Sequence, residues 1–137
     1  MTGDKWPLIT DADREPGMSR DFKKIRAWQV ANNLTFEIYQ ETRSFPKHEL
    51  YGLTSQIRRS SSSVPANIAE GASRTSKKEY LQFLNIARGS LAETEYFLHL
   101  TNRLEYLSKT EYDSLSERLN QVAGTLYGLT ESVKKEL

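Results

Sequence analysis

Apolar residues recur at steps of three and four along most of this 137-residue chain. The step is clearest in the first and last periodic runs, which hold Phe22, Ile25, Trp28, Ala31, Leu34, Thr35 and Ile38, and Tyr112, Leu115, Leu119, Val122, Leu126, Leu129 and Val133. Because a helix turns every 3.6 residues, each run places its apolar side chains on one face. No segment alternates with a period of two, and no Asn-Gly or Asp-Gly hairpin signal occurs. The pattern therefore predicts an all-α fold.

Breaks in this pattern divide the chain into four predicted helices. Phe45-Pro46 marks a stop and a restart, and Ser76–Glu79 and Ser108–Glu111 each have the Ser-x-x-Glu pattern of a helix start. We predict helices over about 21–43, 47–72 and 77–107, with the fourth starting at Ser108. Since the links are short, these helices form an up-and-down antiparallel four-helix bundle over residues 21–137. Residues 1–20 have no period and predict a flexible N-terminal arm.

Pro65 falls inside the second predicted helix. It removes one N–H donor and crowds the carbonyl group of Ser61. Ser61, Ser62 and Ser63 precede it, and their hydroxyl groups are available to the carbonyl groups that it leaves unbonded. We expect a kinked but continuous helix, with a break near Ser62 as the alternative.

The third helix has more apolar surface than one core contact needs. Tyr80, Leu84, Ala87, Leu91 and Leu98 form one face, and Phe83, Ile86, Phe97, Leu100 and Leu104 form a second. A bundle helix normally has a single apolar stripe. The surplus predicts an oligomer interface at Phe83, Ile86, Phe97 and Leu100. The alternative is one wide stripe buried within the monomer.

Composition limits the classes of function. The chain has no cysteine, which excludes disulfide and thiolate chemistry, and its net charge of +1 is not that of a strongly basic nucleic-acid-binding protein. No apolar run approaches the roughly 20 residues that cross a membrane. The N-terminus also lacks the apolar segment of a signal peptide. We therefore expect a soluble cytoplasmic protein without a membrane partner.

The residues that a catalytic site, a metal site or a phosphate-binding loop would need are missing or isolated. The serines at 60–63 have no histidine near them in sequence, and a serine nucleophile needs a positioned base. Glu95 and His99 have no second histidine to complete a di-metal site of the bundle type. The sequence Glu70-Gly71-Ala72-Ser73 lacks the glycine spacing of a phosphate-binding loop. We predict no catalytic residue, no metal site and no cofactor.

Several residues of the hairpin between the second and third helices have predicted structural roles. Asn67, Glu70 and Arg74 are neighbours on one face, with Glu70 pairing with Arg74 and Gly71 supplying a left-handed helix end. A recognition site at this hairpin end is the alternative. If the hairpin turns near Ser73, the serines at 60–63 pack against small residues that include Ser90.

Basic residues on the same hairpin give the binding hypothesis. They are Arg58, Arg59, Arg74, Lys77, Lys78 and Arg88. The expected turn places Arg88 roughly opposite Arg59. One subunit offers few phosphate contacts, and a ring of subunits would multiply them. The alternative is ordinary solvated charge, with Arg59 paired to Glu93.

Three segments of the hairpin carry a family resemblance. They are Leu53–Arg59, Val64–Gly71 and Ala87–Glu93, together with Arg74. In these segments the chain is similar to the four-helix-bundle proteins of 23S rRNA intervening sequences, a family that includes the accessory variability proteins of diversity-generating retroelements. The resemblance covers about 22–126. It implies a four-helix bundle assembled as a homopentameric ring and, for the retroelement branch, binding to nucleic acid and to a reverse transcriptase.

These observations give two functional hypotheses. The first is a non-enzymatic homo-oligomeric bundle that binds RNA or DNA weakly, through phosphate contacts and with little base readout. The second is a protein-interaction scaffold that does not bind nucleic acid and uses the second apolar face of the third helix.

Overall fold

The computed structural model describes residues 20–137 and contains four α-helices joined by short connections. They are α1 (Arg26–Glu41), α2 (Leu53–Ala72), α3 (Lys77–Arg103) and α4 (Lys109–Lys135). Short 3-10 turns lie at Phe22–Lys24, Thr42–Ser44 and Lys47–Glu49, and no strand occurs in the described part of the chain. The prediction of an all-α four-helix bundle is confirmed. The predicted arm at 1–20 falls outside the described residues, apart from Arg20.

The helices pack as an antiparallel square. Each helix contacts the next one along the chain, and α4 returns to pack against α1. The start of α1, the α2–α3 turn and the end of α4 therefore lie at one end of the bundle. Consistent with this, the Arg20 guanidinium lies 4.6 Å from the centre of the Tyr80 ring.

The core consists of the predicted apolar faces. Its largest fully buried side chains include Leu34, Ile57, Ile68, Leu84 and Leu115, contributed by all four helices. Burying each such side chain contributes about 1.5–3 kcal/mol. The first apolar face predicted for the third helix is buried throughout. Leu50 is 48% exposed, because it lies in the turn that precedes α2.

Helix boundaries differ from the prediction where side chains form local caps. Helix α2 begins at Leu53, and the carboxylate of Glu49 accepts the Leu53 amide at 3.2 Å. The same carboxylate accepts the Tyr106 hydroxyl at 2.9 Å. These two hydrogen bonds lower the pKa of Glu49, and the bond from the Leu53 amide has the larger effect. Residues 47–49 form a 3-10 turn instead of the first turn of α2.

The third helix also ends earlier than predicted. Glu105 has a φ of 61°, and the Tyr106 amide donates to the Thr101 carbonyl group at 3.0 Å. This arrangement closes a helix with one left-handed residue, so α3 stops at Arg103 and residues 104–107 form the turn into α4.

Both predicted serine caps are present. The Ser76 hydroxyl accepts the Glu79 amide at 3.2 Å. The Ser108 hydroxyl accepts the Glu111 amide at 3.1 Å, while the Glu111 carboxylate accepts the Ser108 amide at 2.9 Å. Only the second pair is therefore a complete capping box.

Helix α2 runs without a break through Pro65, as predicted. In a regular helix the amide of residue 65 would donate to the Ser61 carbonyl group, but proline has no N–H. The Ser61 carbonyl group instead accepts the Thr35 hydroxyl of α1 at 2.9 Å. The Ser61 hydroxyl instead donates to the Arg58 carbonyl group at 3.2 Å. The missing donor thus comes from the neighbouring helix and not from the serines, which corrects the expected mechanism.

Gly71 is buried inside α2 and has no left-handed φ, so the predicted left-handed helix end is wrong. Its role is close packing. A Cβ atom at this position would lie 2.9 Å from the Cβ atom of Phe83 and 2.9 Å from Cδ1 of Tyr80. Only glycine allows α2 and α3 to approach this closely near their turn.

Candidate nucleic-acid interface

A ladder of hydroxyl groups joins α2 to α3. The Thr94 hydroxyl donates to the Ser60 hydroxyl at 2.9 Å, and Ser63 and Ser90 share a hydrogen bond of 2.9 Å. The Asn67 amide donates to the Ser63 carbonyl group at 2.8 Å. Ser90 therefore links α3 to α2 through Ser63, whereas Asn67 bonds to the same Ser63 within α2. No base for a serine nucleophile lies in this ladder.

The ladder also fixes how the two helices are aligned. The Arg59 guanidinium lies 2.6 Å from the Glu93 carboxylate, so Glu93 faces Arg59. The prediction that Arg88 lies opposite Arg59 is therefore wrong. It placed the turn near Ser73, whereas α2 continues to Ala72 and the connection extends to the Ser76 cap.

Three of the six predicted binding residues are engaged within the bundle. Besides the Arg59–Glu93 pair, Arg58 donates to the Thr42 hydroxyl at 2.8 Å and lies over the Tyr39 ring at 4.8 Å. The Arg58 guanidinium thus ties α2 to the end of α1.

Arg74 is also engaged. It pairs with Glu70 at 2.8 Å, as predicted, and its guanidinium lies 4.8 Å from the centre of the Phe83 ring. A cation over an aromatic face is stabilised electrostatically, so Arg74 and Phe83 together cover the hairpin end.

The other three predicted binding residues are available. The side chains of Lys77, Lys78 and Arg88 make no ion pair or hydrogen bond with any residue between 20 and 137. Lys78 and Arg88 are exposed, and Lys77 is half-buried. These side chains can meet phosphate without first breaking a hydrogen bond or ion pair to another described residue.

The antiparallel topology gathers further cations around Lys77 and Lys78. Among the described residues at this end, which we call the basic end, there are nine basic side chains: Arg20, Lys23, Lys24 and Arg26 before or in the first turn of α1, Arg74, Lys77 and Lys78 at the α2–α3 turn, and Lys134 and Lys135 at the end of α4. Five acidic side chains accompany them, namely Asp21, Glu70, Glu79, Glu131 and Glu136, which leaves a formal charge of +4. The sequence analysis missed this end because its cations lie in three separate stretches of the chain, which the antiparallel topology brings together.

The opposite end of the bundle is not basic. Its four basic side chains (Arg43, Lys47, Arg103 and Lys109) are outnumbered by five acidic ones (Glu41, Glu49, Glu105, Glu111 and Asp113). The bundle is therefore electrically polar along its axis. An anion approaching it is steered toward the α2–α3 turn.

A second surface is apolar. The outer α3 face, which we define as Ile86, Tyr96, Phe97, Leu100 and Leu104, is only partly covered within the bundle, and of these side chains Phe97 packs against the core. Ile86 is 50% exposed and Tyr96 is 57% exposed. Of the predicted interface residues, Phe97 and Leu100 are half-buried on this face, while Phe83 is half-buried beneath Arg74. The second apolar face is thus not enclosed within the monomer.

The described residues offer little for catalysis. Burial beside Glu111 raises the pKa of Glu41, whereas the Ser108 amide lowers the pKa of Glu111. Paired carboxyl groups with divergent pKa values occur in active sites. Here, however, the Glu111 carboxylate already accepts the Ser108 amide in the capping box.

Residues 20–137 contain neither a metal-binding cluster nor a membrane-spanning helix. No group of His, Asp and Glu side chains in this range is arranged to hold a metal ion. Nor does any helix of this part combine the length and the hydrophobicity that a membrane-spanning segment requires.

Comparison with known proteins agrees with the fold. The family model for the 23S rRNA-intervening sequence protein matches residues 23–128. A crystal structure of a protein of unknown function from the S23 ribosomal protein family of Bacteroides thetaiotaomicron is similar at 26% identity with a TM-score of 0.69. The match covers 75% of this chain and 96% of that one. Among curated proteins, no significant match is found.

Proposed function

We propose that this chain, which belongs to the 23S rRNA-intervening sequence protein family, is a non-enzymatic bundle whose assembled copies bind RNA weakly through the basic end. Phosphate groups of the RNA backbone would contact Lys77 and Lys78 at the α2–α3 turn, with Arg88 further along α3. The contacts are electrostatic, so they carry little sequence information.

The observation that carries this proposal is the charge of the basic end. Lys77 and Lys78 have no intramolecular partner among the described residues and lie within a local excess of four positive charges. One such end provides few phosphate contacts, and non-specific affinity of this kind is lost steeply as salt rises. Several copies side by side would raise the number of simultaneous contacts and so the avidity.

The outer α3 face supports self-association. Exposed apolar side chains such as Ile86 and Tyr96 lie there on a regular helix, and a helix surface of this kind normally packs against a partner. We propose that copies of the chain pack against one another through this face and form a homopentameric ring. A reverse transcriptase remains a proposed partner only for the retroelement branch of the family.

Charge reversal at the α2–α3 turn tests the binding site. The variant Lys77→Glu with Lys78→Glu is expected to weaken binding of a labelled RNA hairpin at least about tenfold at low salt, because two phosphate contacts per copy become repulsive. The slope of log affinity against log salt should fall in magnitude by about 2 for each copy in contact with the RNA. Fluorescence anisotropy across a salt series measures both quantities.

The matched control reverses two cations at the opposite end. Arg43→Glu with Lys47→Glu changes the net charge by the same amount as the Lys77/Lys78 variant. Arg43 and Lys47 are both exposed. RNA affinity should fall far less in this control than in the Lys77/Lys78 variant. Equal losses in the two variants would mean that only total charge matters, and the assignment to the basic end would be wrong. Arg58 and Arg59 are unsuitable for this test because both stabilise the bundle.

A second candidate is a protein-interaction scaffold that does not bind nucleic acid. It is favoured by the engagement of Arg58, Arg59 and Arg74 within the bundle, which halves the predicted set of binding cations. In that case the outer α3 face would receive a different protein. Purified chain that retains no RNA and shows no affinity for it at low salt would favour this function.

A further inference from the structure

A groove between α3 and α4 opens onto the surface of the bundle. It encloses about 310 Å³, and its apolar lining is formed by Leu91, Ala123, Leu126 and Tyr127. Leu91 and Leu126 are core residues that are only 6% and 3% exposed. A space at the lower limit of ligand-pocket size suits one small planar group. None of the residues of the outer α3 face lines the groove, so the proposed association does not use it.

Tyr127 is an exposed aromatic side chain at the edge of this groove. It is 69% exposed, and it forms no hydrogen bond, ring contact or cation–π contact with any residue between 20 and 137. The Tyr39 ring, by contrast, is covered by the Arg58 guanidinium at 4.8 Å. An accessible aromatic ring beside an apolar groove is a platform on which a second ring can stack.

The charge at the groove favours an anion. Lys134 and Glu131 both line it, and they pair with each other at 3.3 Å. Arg88 also lines it and has no ion pair or hydrogen bond within residues 20–137, so its positive charge is not compensated there. A ligand that joins a planar apolar ring to an anionic group is complementary to this arrangement, and a nucleotide is such a ligand.

The groove extends the basic end along the bundle. Lys134 belongs to both, and on α3 the cations Lys77 and Arg88 are eleven residues apart. Eleven residues make about three turns of an α-helix, so these two side chains lie on the same side of α3, about 16 Å apart along its axis. An RNA strand whose phosphates contact Lys77 can therefore follow α3 to Arg88 and pass over the groove.

We propose that the groove takes one unpaired nucleotide of the RNA, with its base stacked on the Tyr127 ring and its phosphate at Arg88. This inference rests on the proposed function, and it adds the class of RNA that the site binds, namely a strand or loop with unpaired bases. The bases of a continuous double helix are stacked on and paired with one another, so none of them is available to the groove.

The groove has few polar groups that could read the identity of the base. Among the described residues that line it, Thr130 already donates its hydroxyl group to the Leu126 carbonyl group at 2.9 Å. Lys134 is paired with Glu131, and Arg88 would be held by the phosphate. Stacking on an aromatic ring tolerates every base, so the groove selects unpaired nucleotides and not a sequence.

Removing the aromatic ring tests this inference. Tyr127→Ala is expected to weaken the binding of a labelled single-stranded RNA at least about fivefold at low salt, the smaller effect that the loss of one stacked base produces. The slope of log affinity against log salt should not change, since no phosphate contact is lost. Tyr127→Phe keeps the ring and should restore the affinity. Fluorescence anisotropy across a salt series measures these quantities.

A second variant fills the groove without altering the ring or a charge. Ala123 is exposed and lines the groove, so Ala123→Leu should be accommodated by the fold while it takes up space between α3 and α4. It is expected to weaken single-stranded RNA in the same direction as Tyr127→Ala. Circular dichroism of both variants checks that the bundle is intact.

Two controls separate stacking from charge. An RNA of the same length made of abasic nucleotides keeps every phosphate group but has no base to stack, so Tyr127→Ala should leave its affinity unchanged. Tyr51 is 93% exposed and lies before α2 at the opposite end of the bundle, so Tyr51→Ala should leave the affinity for either RNA unchanged.

The outcomes distinguish this inference from the proposed function. If neither RNA binds at low salt, both are wrong. If Lys77→Glu with Lys78→Glu weakens binding and Tyr127→Ala does not, the basic end binds RNA but the groove takes no base. Equal losses in Tyr127→Ala for ordinary, abasic and double-stranded RNA would also overturn the inference.

Discussion

Replacing Gly71 by alanine is expected to destabilise the bundle by about 1–3 kcal/mol, the usual cost of forcing an extra carbon into a packed site. The new Cβ atom would lie 2.9 Å from Phe83 Cβ and 2.9 Å from Tyr80 Cδ1, with the Tyr80 carbonyl oxygen at 3.3 Å. None of these atoms is the far end of a flexible side chain, so α2 and α3 would have to separate near their turn. Urea unfolding followed by far-UV circular dichroism measures the loss.

The chain supplies its own control for this experiment. Gly89 is also helical, and a Cβ atom at that position would meet no atom within 4 Å. Gly89→Ala is therefore expected to stabilise the isolated bundle by about 0.5–1 kcal/mol through helix propensity alone. If both substitutions changed the free energy of unfolding in the same direction, the close approach at Gly71 would not explain why glycine is needed there.

The second large effect concerns the hydrogen bond that accommodates Pro65. Thr35→Val is expected to cost about 1–3 kcal/mol, because it leaves the Ser61 carbonyl group without its donor in a buried position. The Ala31 carbonyl group, which the Thr35 hydroxyl also contacts at 3.1 Å, belongs to α1 and keeps its helical amide donor. Thr35→Ser keeps the hydroxyl group and should cost much less.

A double-mutant cycle isolates this interaction. Pro65→Ala restores an amide donor four residues after Ser61, so in that background Thr35→Val should cost less than about 0.5 kcal/mol. The difference between the two costs is the coupling energy between Thr35 and Pro65, and equilibrium unfolding of the four proteins provides it. A coupling energy near zero would show that the Ser61 carbonyl group is satisfied in another way.

Most of the fold followed from the apolar period and from the helix-start signals. The step of three and four identified the buried faces, and the serines at 76 and 108 fixed two helix starts correctly. The boundaries that failed depend on tertiary contacts. Glu49 caps α2 because Tyr106, which is distant in sequence, holds its carboxylate in place, and no local pattern encodes that hydrogen bond.

The candidate site was less predictable for a related reason. The sequence identified the basic residues, but not which of them the bundle already uses. Arg58 is bound to Thr42 and Arg59 to Glu93, and both contacts require the helices to be aligned correctly. Conversely, the basic end could have been found from the predicted antiparallel topology, by counting charge at each end of the bundle.

We propose that copies of this chain associate through the outer α3 face before the basic ends act together on RNA. Light scattering coupled to size-exclusion chromatography, at micromolar protein concentration, tests it most directly. We predict a molar mass that is a multiple of the 15.7 kDa chain mass, fivefold for a pentameric ring. A single species of 15.7 kDa under these conditions would contradict the claim.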